Sequence, residues 1–378
     1  MTQITNELKI ENSKIKIIKI FVYFMFWFFF YNILPYIFLK NIVTNDIAFK
    51  AIIISITGIT LFIVGFFRKI KSKSKSNDKY FINISKSKLY IIFILSILIA
   101  LISDIFYLVM GIIAAVISVR EIKKGRYIYL LIILTIILSF FLLQFTRMYL
   151  LIYLITIFLS LYIESNKFHI LSLILFGALS IGLLITMREY RSFEKVDKSN
   201  IINYFNKTDD ASLFLKSIDT FHTYEMYLFV IRDFPEKFEF IYGVSLLKPL
   251  FSFIPRAVWE KKPENLTNSL PKLYYGNSRG YNYSSGMTII GEFYINFGII
   301  GVLFLNYLFG YISGYFVKFF YSNQSDFKRI IGLSYLAIFP SLMRGGINTT
   351  VILFAVSVFF IFIILLILKN IVKSRSIP

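Results

Sequence analysis

The sequence predicts an all-α integral membrane protein that crosses the bilayer many times. Hydrophobic residues make up 57% of the 378 residues, and the mean hydropathy is +0.71. Soluble proteins average about 45–50% apolar residues. Here the excess is concentrated in runs of roughly 20 apolar residues, the length that an α-helix needs to span a membrane. The chain has no Cys and two His, which excludes disulfides and argues against a His-rich metal centre.

The net charge of +20 is distributed as membrane topology requires. Residues 188–286 contain 14 Lys+Arg and 12 Asp+Glu, whereas the rest of the chain contains 27 basic and 9 acidic residues. Most of those 27 lie in short segments beside apolar runs, as in cytoplasmic loops under the positive-inside rule. The basicity therefore indicates orientation in a membrane, and nucleic acid is excluded as a partner.

Apolar runs and charged loops together predict about ten spans with both termini in the cytoplasm. The stretch 89–119 is too long for one ordinary span and has basic flanks on both sides, so we expect two short helices that turn near Ser103 and Asp104. The organisation is one membrane domain, with N-terminal helices in 1–187, an extracytoplasmic loop of 188–286 and C-terminal helices in 287–378. The predicted spans are 17–39, 47–67, the two helices of 89–119, 127–145, 148–163, 168–187, 294–316, 330–343 and 347–368.

The predicted extracytoplasmic loop is too long for a connector and is rich in tyrosine. Within it, residues 211–232 alternate apolar and polar side chains at helical spacing. This pattern predicts an amphipathic helix that lies along the membrane surface or packs against the bundle.

Arginines on the predicted outer face are candidate phosphate ligands, because guanidinium groups bind phosphate oxygens through paired hydrogen bonds. Arg147 and Arg344 stand in short outer turns, where positive-inside selection disfavours them and where no acidic residue is near in sequence. For the loop arginines, a salt bridge to a loop carboxylate is the structural alternative. These are Arg188, Arg191, Arg232, Arg256 and Arg279.

Two motifs give the most specific information in the chain. The first, FIPRAVWEKKP at 253–263, holds Arg256 and Trp259 between prolines that restrict the backbone. The second, GEFYINFGIIG at 291–301, places Glu292 at the predicted re-entry into the membrane. These motifs behind a large outer loop resemble those of the oligosaccharide repeat-unit polymerases that build bacterial O-antigen and capsular polysaccharide. The spacing of Arg232 and Gly243, with ten residues between them, also resembles a pattern of that family.

The resemblance implies a fold similar to GT-C glycosyltransferases, in the bacterial cytoplasmic membrane. It implies transfer of a growing glycan from undecaprenyl pyrophosphate to a hydroxyl of a new lipid-linked repeat unit, without a cofactor or metal. A flippase and a chain-length regulator are the implied protein partners, besides the lipid-linked glycans and membrane lipids. The alternatives are an O-antigen ligase-like transferase, which shares the outer loop and its arginines, and a transporter or flippase, which should show internal repeats.

That reaction needs groups that stabilise the leaving pyrophosphate and a base for the acceptor hydroxyl. Glu292 is the leading candidate base, with His222 and Glu225 behind it, and a structural partnership with an arginine is its alternative role. Aromatic side chains are candidates for stacking on sugars, or for the interfacial aromatic belt. The electrostatic candidates are Arg147, Arg191, Arg256, Arg279 and Arg344, and the aromatic ones are Trp259, Tyr274, Tyr275, Tyr281 and Tyr283.

Overall fold

The computed structural model describes residues 2–39, 43–72, 86–100, 107–126, 128, 132–133, 136–137, 147–164, 219–275, 286–321 and 326–374. All regular elements with bounds in these ranges are helical, which confirms the all-α class for the described chain. They are α1 (Thr2–Phe28), a π-helical turn (Phe29–Ile33), α2 (Leu34–Leu39), α3 (Asn45–Lys71), α4 (Lys86–Ala100), α5 (Tyr107–Lys123), α6 (Arg147–Glu164), α7 (Asp219–Asp233), α8 (Val244–Phe251), α9 (Leu266–Tyr275), α10 (Ile289–Phe320), α11 (Asp326–Met343) and α12 (Ile347–Ser374).

Four stretches among the described residues are long and apolar enough to cross a membrane. They are Lys14–Ile37, Asn45–Lys71, Ile289–Phe320 and Ile347–Ile367. Ser87–Ala100 and Ile152–Ile163 are apolar but shorter. The predicted span 168–187 and most of 127–145 lie outside the described residues, so the total of about ten spans stays a prediction.

Helix α3 runs parallel to the second part of α10, residues 299–320, and the two backbones pack in direct contact. Small residues on α10 permit this approach, because a Cβ added at Gly310 would collide with the carbonyl oxygen of Phe62. A Cβ at Gly65 of α3 would likewise collide with the carbonyl oxygen of Tyr307. The segment Gly310–Gly314 therefore acts as the helix-packing motif that its spacing predicts.

Aromatic rings fill the space between these helices and their neighbours. Phe339 of α11 lies 4.2 Å from Phe24 of α1 and 5.7 Å from Phe309 of α10, measured between ring centroids. Phe62 of α3 completes the cluster, 5.3 Å from Phe309. Aromatic pairs at such separations contribute about 0.5–1.5 kcal/mol each beyond the burial of their area, so this cluster holds α1, α3, α10 and α11 together.

Several hydroxyl side chains inside the helices form hydrogen bonds within their own helix. Ser313, Ser334, Ser357 and Thr156 each donate to the backbone carbonyl four residues earlier, at 2.6–2.8 Å. In hydrocarbon an unsatisfied polar group costs several kcal/mol, and these local bonds avoid that cost.

Helix ends that the sequence assigns to the same side of the membrane meet in the structure. Lys19, near the start of the chain, donates 2.8 Å to the carbonyl oxygen of Tyr162 at the end of α6. Lys318 near the end of α10 binds Ser72 after α3. At the opposite end, which we call the loop end, the starts of α10 and α12 meet the described residues of 219–275.

The stretch 89–119 contains two helices, as predicted. Helices α4 and α5 pack against each other, and the hydroxyl of Tyr90 near the start of α4 donates to Glu121 near the end of α5 at 3.4 Å. The predicted turn at Ser103 and Asp104 lies outside the described residues.

A bulky residue at Gly310 should loosen the bundle. Gly310→Leu forces α3 and α10 apart, and we expect a loss of about 1–3 kcal/mol, the usual cost of overpacking. The measurement is thermal unfolding of the detergent-solubilised protein. Leu308→Phe is the control, because Leu308 is 38% exposed on the same helix. Equal melting temperatures for the two variants would contradict close packing at Gly310.

Candidate active-site cleft

A break in α10 organises the loop end. Phe297 (φ −144°, ψ 18°) and Gly298 (φ 63°, ψ −145°) leave the helical conformation inside α10. Two carbonyl oxygens at the break accept hydrogen bonds from another segment. Ile241 N–H donates to Ile295 O at 3.1 Å, and Tyr242 N–H donates to Asn296 O at 3.0 Å. The break thus attaches the chain before α8 to α10 through the backbone.

Helix α8 follows this attachment at a left-handed turn. Tyr242 and Gly243 have φ values of 45° and 86°, and a Cβ on Gly243 would lie 3.0 Å from the ring of Phe297. This geometry gives a physical reason for the glycine in the Arg232–Gly243 spacing. Two residues on, Ser245 Oγ accepts a hydrogen bond of 2.8 Å from Asn296 Nδ2, which fixes α8 on α10.

A cleft of about 370 Å³ lies between α8, the FIPRAVWEKKP motif, the start of α9 and the first two turns of α12. Its polar lining combines three cations with one carboxylate, three amides and two hydroxyls. The lining residues are Lys248, Ser252, Arg256, Lys262, Pro263, Glu264, Asn265, Asn268, Asn348, Thr349, Ile352 and Leu353.

Two lysines fold the motif around the cleft. Lys262 Nζ donates to the carbonyl oxygens of Ser252 and Ile254 at 3.0 and 2.9 Å. Lys248 Nζ donates 2.6 Å to Pro263 O. Turns begin at Pro255, whose carbonyl accepts from the N–H groups of residues 258 and 259. The motif is therefore a compact loop held by internal hydrogen bonds, in keeping with the restricted backbone that its two prolines predict.

The amides connect this loop to α12. Ser252 Oγ donates 3.1 Å to Asn348 Oδ1, and Asn348 Nδ2 donates 2.8 Å to Asn265 Oδ1. Three separate parts of the chain therefore meet at Asn348.

The cleft is electropositive. Lys248 is buried, and burial together with Arg256 and Lys262 lowers its pKa to about 8, although Glu264 acts in the opposite direction. Glu264 itself is bound by Lys272 at 2.9 Å. The Arg256 side chain is exposed, and no hydrogen bond or ion pair to it is found within the described ranges.

Glu292 lies inside the protein and not in the cleft lining. Its side chain is 2% exposed, and its Oε2 accepts the N–H groups of Gly346 and Ile347 at 3.1 and 3.2 Å. The carboxylate thus caps the N-terminus of α12, where backbone donors and the helix dipole favour a negative charge. Glu292 therefore contacts the turn that carries Arg344, but it does so through the backbone N–H groups of Gly346 and Ile347.

The other arginine candidates occupy different positions. Arg344 is partly buried in the turn before α12. Its backbone carbonyl oxygen packs against Gly286, where an added Cβ would lie only 2.6 Å from that oxygen. Arg147 is the first residue of α6. Arg232 forms a two-pronged ion pair with Asp233 at 2.7 and 2.9 Å, which confirms the salt-bridge interpretation for this residue, with a neighbouring carboxylate as partner.

The remaining candidates are only partly described. His222 Nδ1 lies 3.3 Å from Glu225 Oε2 on α7, outside the cleft lining. Helix α7 packs against α3, where Tyr227 donates 2.9 Å to Ala51 O, so its amphipathic face serves the bundle. Trp259 packs edge-on against Phe251 at 5.9 Å. Residues Arg188, Arg191, Arg279, Tyr281 and Tyr283 lie outside the described part of the chain.

Most residues of the cleft are not recognisable as site residues from the sequence. Lys248, Lys262, Asn265, Asn268 and Asn348 were not singled out, because lysine and asparagine are common throughout this chain. A usable indication was present for one of them. Lys248 is a lone charge in the apolar run VSLLKPLF, a position that favours a specific role.

Comparison with known proteins agrees with the resemblance seen in the motifs. The sequence model for "O-antigen polysaccharide polymerase Wzy" matches residues 96–375. Two relatives, the O-antigen polymerases of Salmonella typhimurium strain LT2 and of Salmonella typhi, are each 25% identical over 169 residues. That alignment covers 44% of this chain and 37% of each relative's length. No solved structure matches the chain. Because the family match extends over most of the sequence and includes the cleft, the chain belongs to the O-antigen polysaccharide polymerase Wzy family.

Proposed function

We propose that this protein polymerises undecaprenyl-pyrophosphate-linked oligosaccharide repeat units into O-antigen or capsular polysaccharide. The bond between the anomeric carbon of the growing glycan and the pyrophosphate oxygen breaks, and a bond to an acceptor hydroxyl oxygen forms. The hydroxyl proton goes to a base, and undecaprenyl pyrophosphate leaves. The observation that carries the proposal is the electropositive cleft built by the FIPRAVWEKKP motif, within the region that the family match covers.

The cleft offers the chemistry that a leaving pyrophosphate needs. Arg256 presents an exposed planar fork of donors, which suits two phosphate oxygens at once. Lys248 and Lys262 add positive charge that is fixed in place by backbone carbonyls. Such preorganised charge needs no rearrangement as negative charge develops. We therefore propose that cationic side chains, without a metal ion, stabilise the leaving group.

The cleft amides suit the sugar part of the substrate. Asn265, Asn268 and Asn348 combine donors and acceptors, which matches the hydroxyl groups of a glycan. Trp259, Tyr281 and Tyr283 are proposed to stack on sugar rings, and Arg147, Arg191, Arg279 and Arg344 to extend the anion site. His222 with Glu225 remains the alternative base.

The cleft is proposed to face the extracytoplasmic side. Basic residues collect at the opposite end of the bundle, where α3 ends with Arg68, Lys69 and Lys71, and such ends face the cytoplasm. This orientation puts both termini in the cytoplasm, and it gives a flippase and a chain-length regulator access to the same face as partners.

Arg256 is expected to be essential for polymerisation. Arg256→Ala removes the charge, and Arg256→Lys keeps it but loses the planar fork. Both should reduce the rate by about a hundredfold, the effect of losing roughly 3 kcal/mol of transition-state stabilisation. The readout is polymer length in cells, together with single repeat units accumulated on the lipid carrier.

Lys261→Ala is the matched control, since Lys261 has the same charge, lies in the same motif and is exposed outside the cleft lining. It should leave polymer length unchanged. Polymer of normal length in Arg256→Ala, at normal protein level, would refute the assignment of Arg256 to the site.

Pyrophosphate binding should weaken as the pH rises through about 8, where Lys248 loses its proton. Without ligand the cation is held below its usual pKa by burial and by Arg256 and Lys262. A bound anion raises the pKa of Lys248 again. Below pH 8 Lys248 is already protonated when the anion binds, whereas above pH 8 it must take up a proton on binding. Affinity should therefore fall by at most about tenfold per pH unit above 8. Titration calorimetry of the purified protein with inorganic pyrophosphate measures this dependence.

Lys248→Arg is the control for that measurement, because arginine stays protonated throughout this range. Its affinity should be nearly constant from pH 7 to 9. Parallel curves for the two proteins would show that the Lys248 cation does not contribute to anion binding.

Glu292 is proposed to position the cleft, because its carboxylate is buried and occupied by two backbone donors. The general-base role expected from sequence makes a different prediction. Glu292→Gln keeps an acceptor oxygen for Gly346 and Ile347 but cannot take a proton, so a positioning role predicts retained polymer and an unchanged pH profile. Glu292→Ala leaves two donors unpaired and should lose both polymer and about 1–3 kcal/mol of stability. A well-folded Glu292→Gln protein without activity would support the base instead.

A further inference from the structure

Helix α8 is inverted relative to a surface helix in water. Its polar residues Ser245 and Lys248 are buried against the protein. Its apolar residues Val244, Leu247 and Leu250 point away from it, with exposed fractions of 45%, 53% and 63%. A helix beside water shows the opposite arrangement, with its apolar stripe toward the core. The medium outside α8 is therefore apolar.

The exposed apolar surface continues beyond α8 into the FIPRAVWEKKP motif. Phe253 is 80% exposed and Val258 is 78% exposed, among the highest values for large hydrophobic side chains in the described chain. Contiguous apolar patches of this kind mark contact with a membrane or a partner protein. We call this surface the apolar apron, and it comprises Val244, Leu247, Leu250, Phe251, Phe253 and Val258.

The position of α8 along α10 identifies the medium. Helix α10 bends back on itself at the break, because the rings of Phe293 before it and Phe309 beyond it lie only 6.3 Å apart between centroids. The part beyond the break, residues 299–320, is about 33 Å long, close to the roughly 30 Å hydrocarbon core. The first eight residues of α10, 289–296, are buried in protein, whereas Ile299, Ile300 and Phe304 beyond the break are exposed as a lipid-facing surface is. The lipid-facing part of α10 therefore begins at the break.

The apolar apron is continuous with that lipid-facing surface. Gly243, the residue before α8, lies so near the break that an added Cβ would be 3.0 Å from the ring of Phe297, and Asn296 binds both Tyr242 and Ser245. Helix α8 thus lies at the boundary where α10 enters lipid.

We propose that the apolar apron is immersed in the bilayer at the headgroup boundary, as an interfacial helix and loop that bind lipid. Bilayer lipid is favoured over a second copy of this chain because the apron continues the lipid-facing surface of α10 and has the cations Lys248, Arg256 and Lys262 directly behind it. Interfacial helices combine these features, an apolar face in the acyl boundary and cations at the phosphates.

The immersion also defines how substrate reaches the cleft, and this part rests on the proposed function. A lipid-linked pyrophosphate has its phosphates at headgroup level. With the apron in the same layer, the phosphates meet Arg256 while the polyprenyl chain stays in the bilayer. The proposed substrate then enters sideways from the membrane.

Site-directed spin labelling tests the immersion directly, since the chain has no native Cys. Single-cysteine variants Leu250→Cys, Phe253→Cys and Val258→Cys are labelled in liposomes of bacterial phospholipid. Their collision rates with oxygen and with a polar nickel complex then give the depth of each label. We expect oxygen-accessible, nickel-protected labels at a depth of about 5–10 Å, the range of interfacial helices. Ile300→Cys provides the lipid-facing reference and Lys261→Cys the aqueous one.

Two results would overturn the proposal. Nickel accessibility at 250 and 253 equal to that at 261 would place the apron in water. Labels protected from both reagents, with a short spin–spin distance between two copies of the Phe253→Cys protein, would assign the apron to a dimer interface. This test and the test of the proposed function are independent. The depths of the labels do not depend on catalytic activity, and the polymer length of the Arg256 variants does not depend on the depths of the labels.

Discussion

A buried carboxylate at the start of the last helix is the interaction on which the loop end depends. Glu292 accepts the N–H groups of Gly346 and Ile347, which are otherwise unpaired donors at the N-terminus of α12. Burying a carboxylate is costly without such partners, and the helix terminus supplies both hydrogen bonds and a favourable dipole. This contact holds α10 and α12 in register, and Asn348 follows Ile347 directly into the cleft.

The break in α10 is the second constraint. A span that loses helical hydrogen bonds must satisfy the freed groups within the protein, and Ile241 and Tyr242 do so by binding Ile295 and Asn296. Gly298 supplies the left-handed conformation that the break requires. These two hydrogen bonds also fix the start of α8, so the break in α10 supports the wall of the cleft that carries Lys248.

Charge in the cleft is divided between fixed and available groups. Lys248 and Lys262 are held by carbonyl oxygens of the loop they shape, whereas Arg256 extends from that loop into the open. Arg232, which carries the same charge, is occupied by Asp233. Its pairing and the Asp233–Lys237 contact hold the pKa of Asp233 below its usual value. Among the three cations that line the cleft, Arg256 is therefore the one whose side chain is exposed, with no hydrogen bond or ion pair found in the described part of the chain.

Composition, charge asymmetry and motif spacing are enough to predict the all-α membrane class, the Gly310–Gly314 packing motif, the rigid loop around Arg256 and the family. Apolar periodicity, charge asymmetry and proline placement are local properties, so the linear sequence carries them. The three-dimensional packing was needed to show that Glu292 faces the start of α12 and that Lys248, Lys262 and three asparagines line one cleft. Those outcomes depend on which helix ends meet, and contacts between residues tens of positions apart leave no trace in local composition. The inverted face of α8 shows the same limit, because its pattern is that of any amphipathic helix until the packing shows which side is buried.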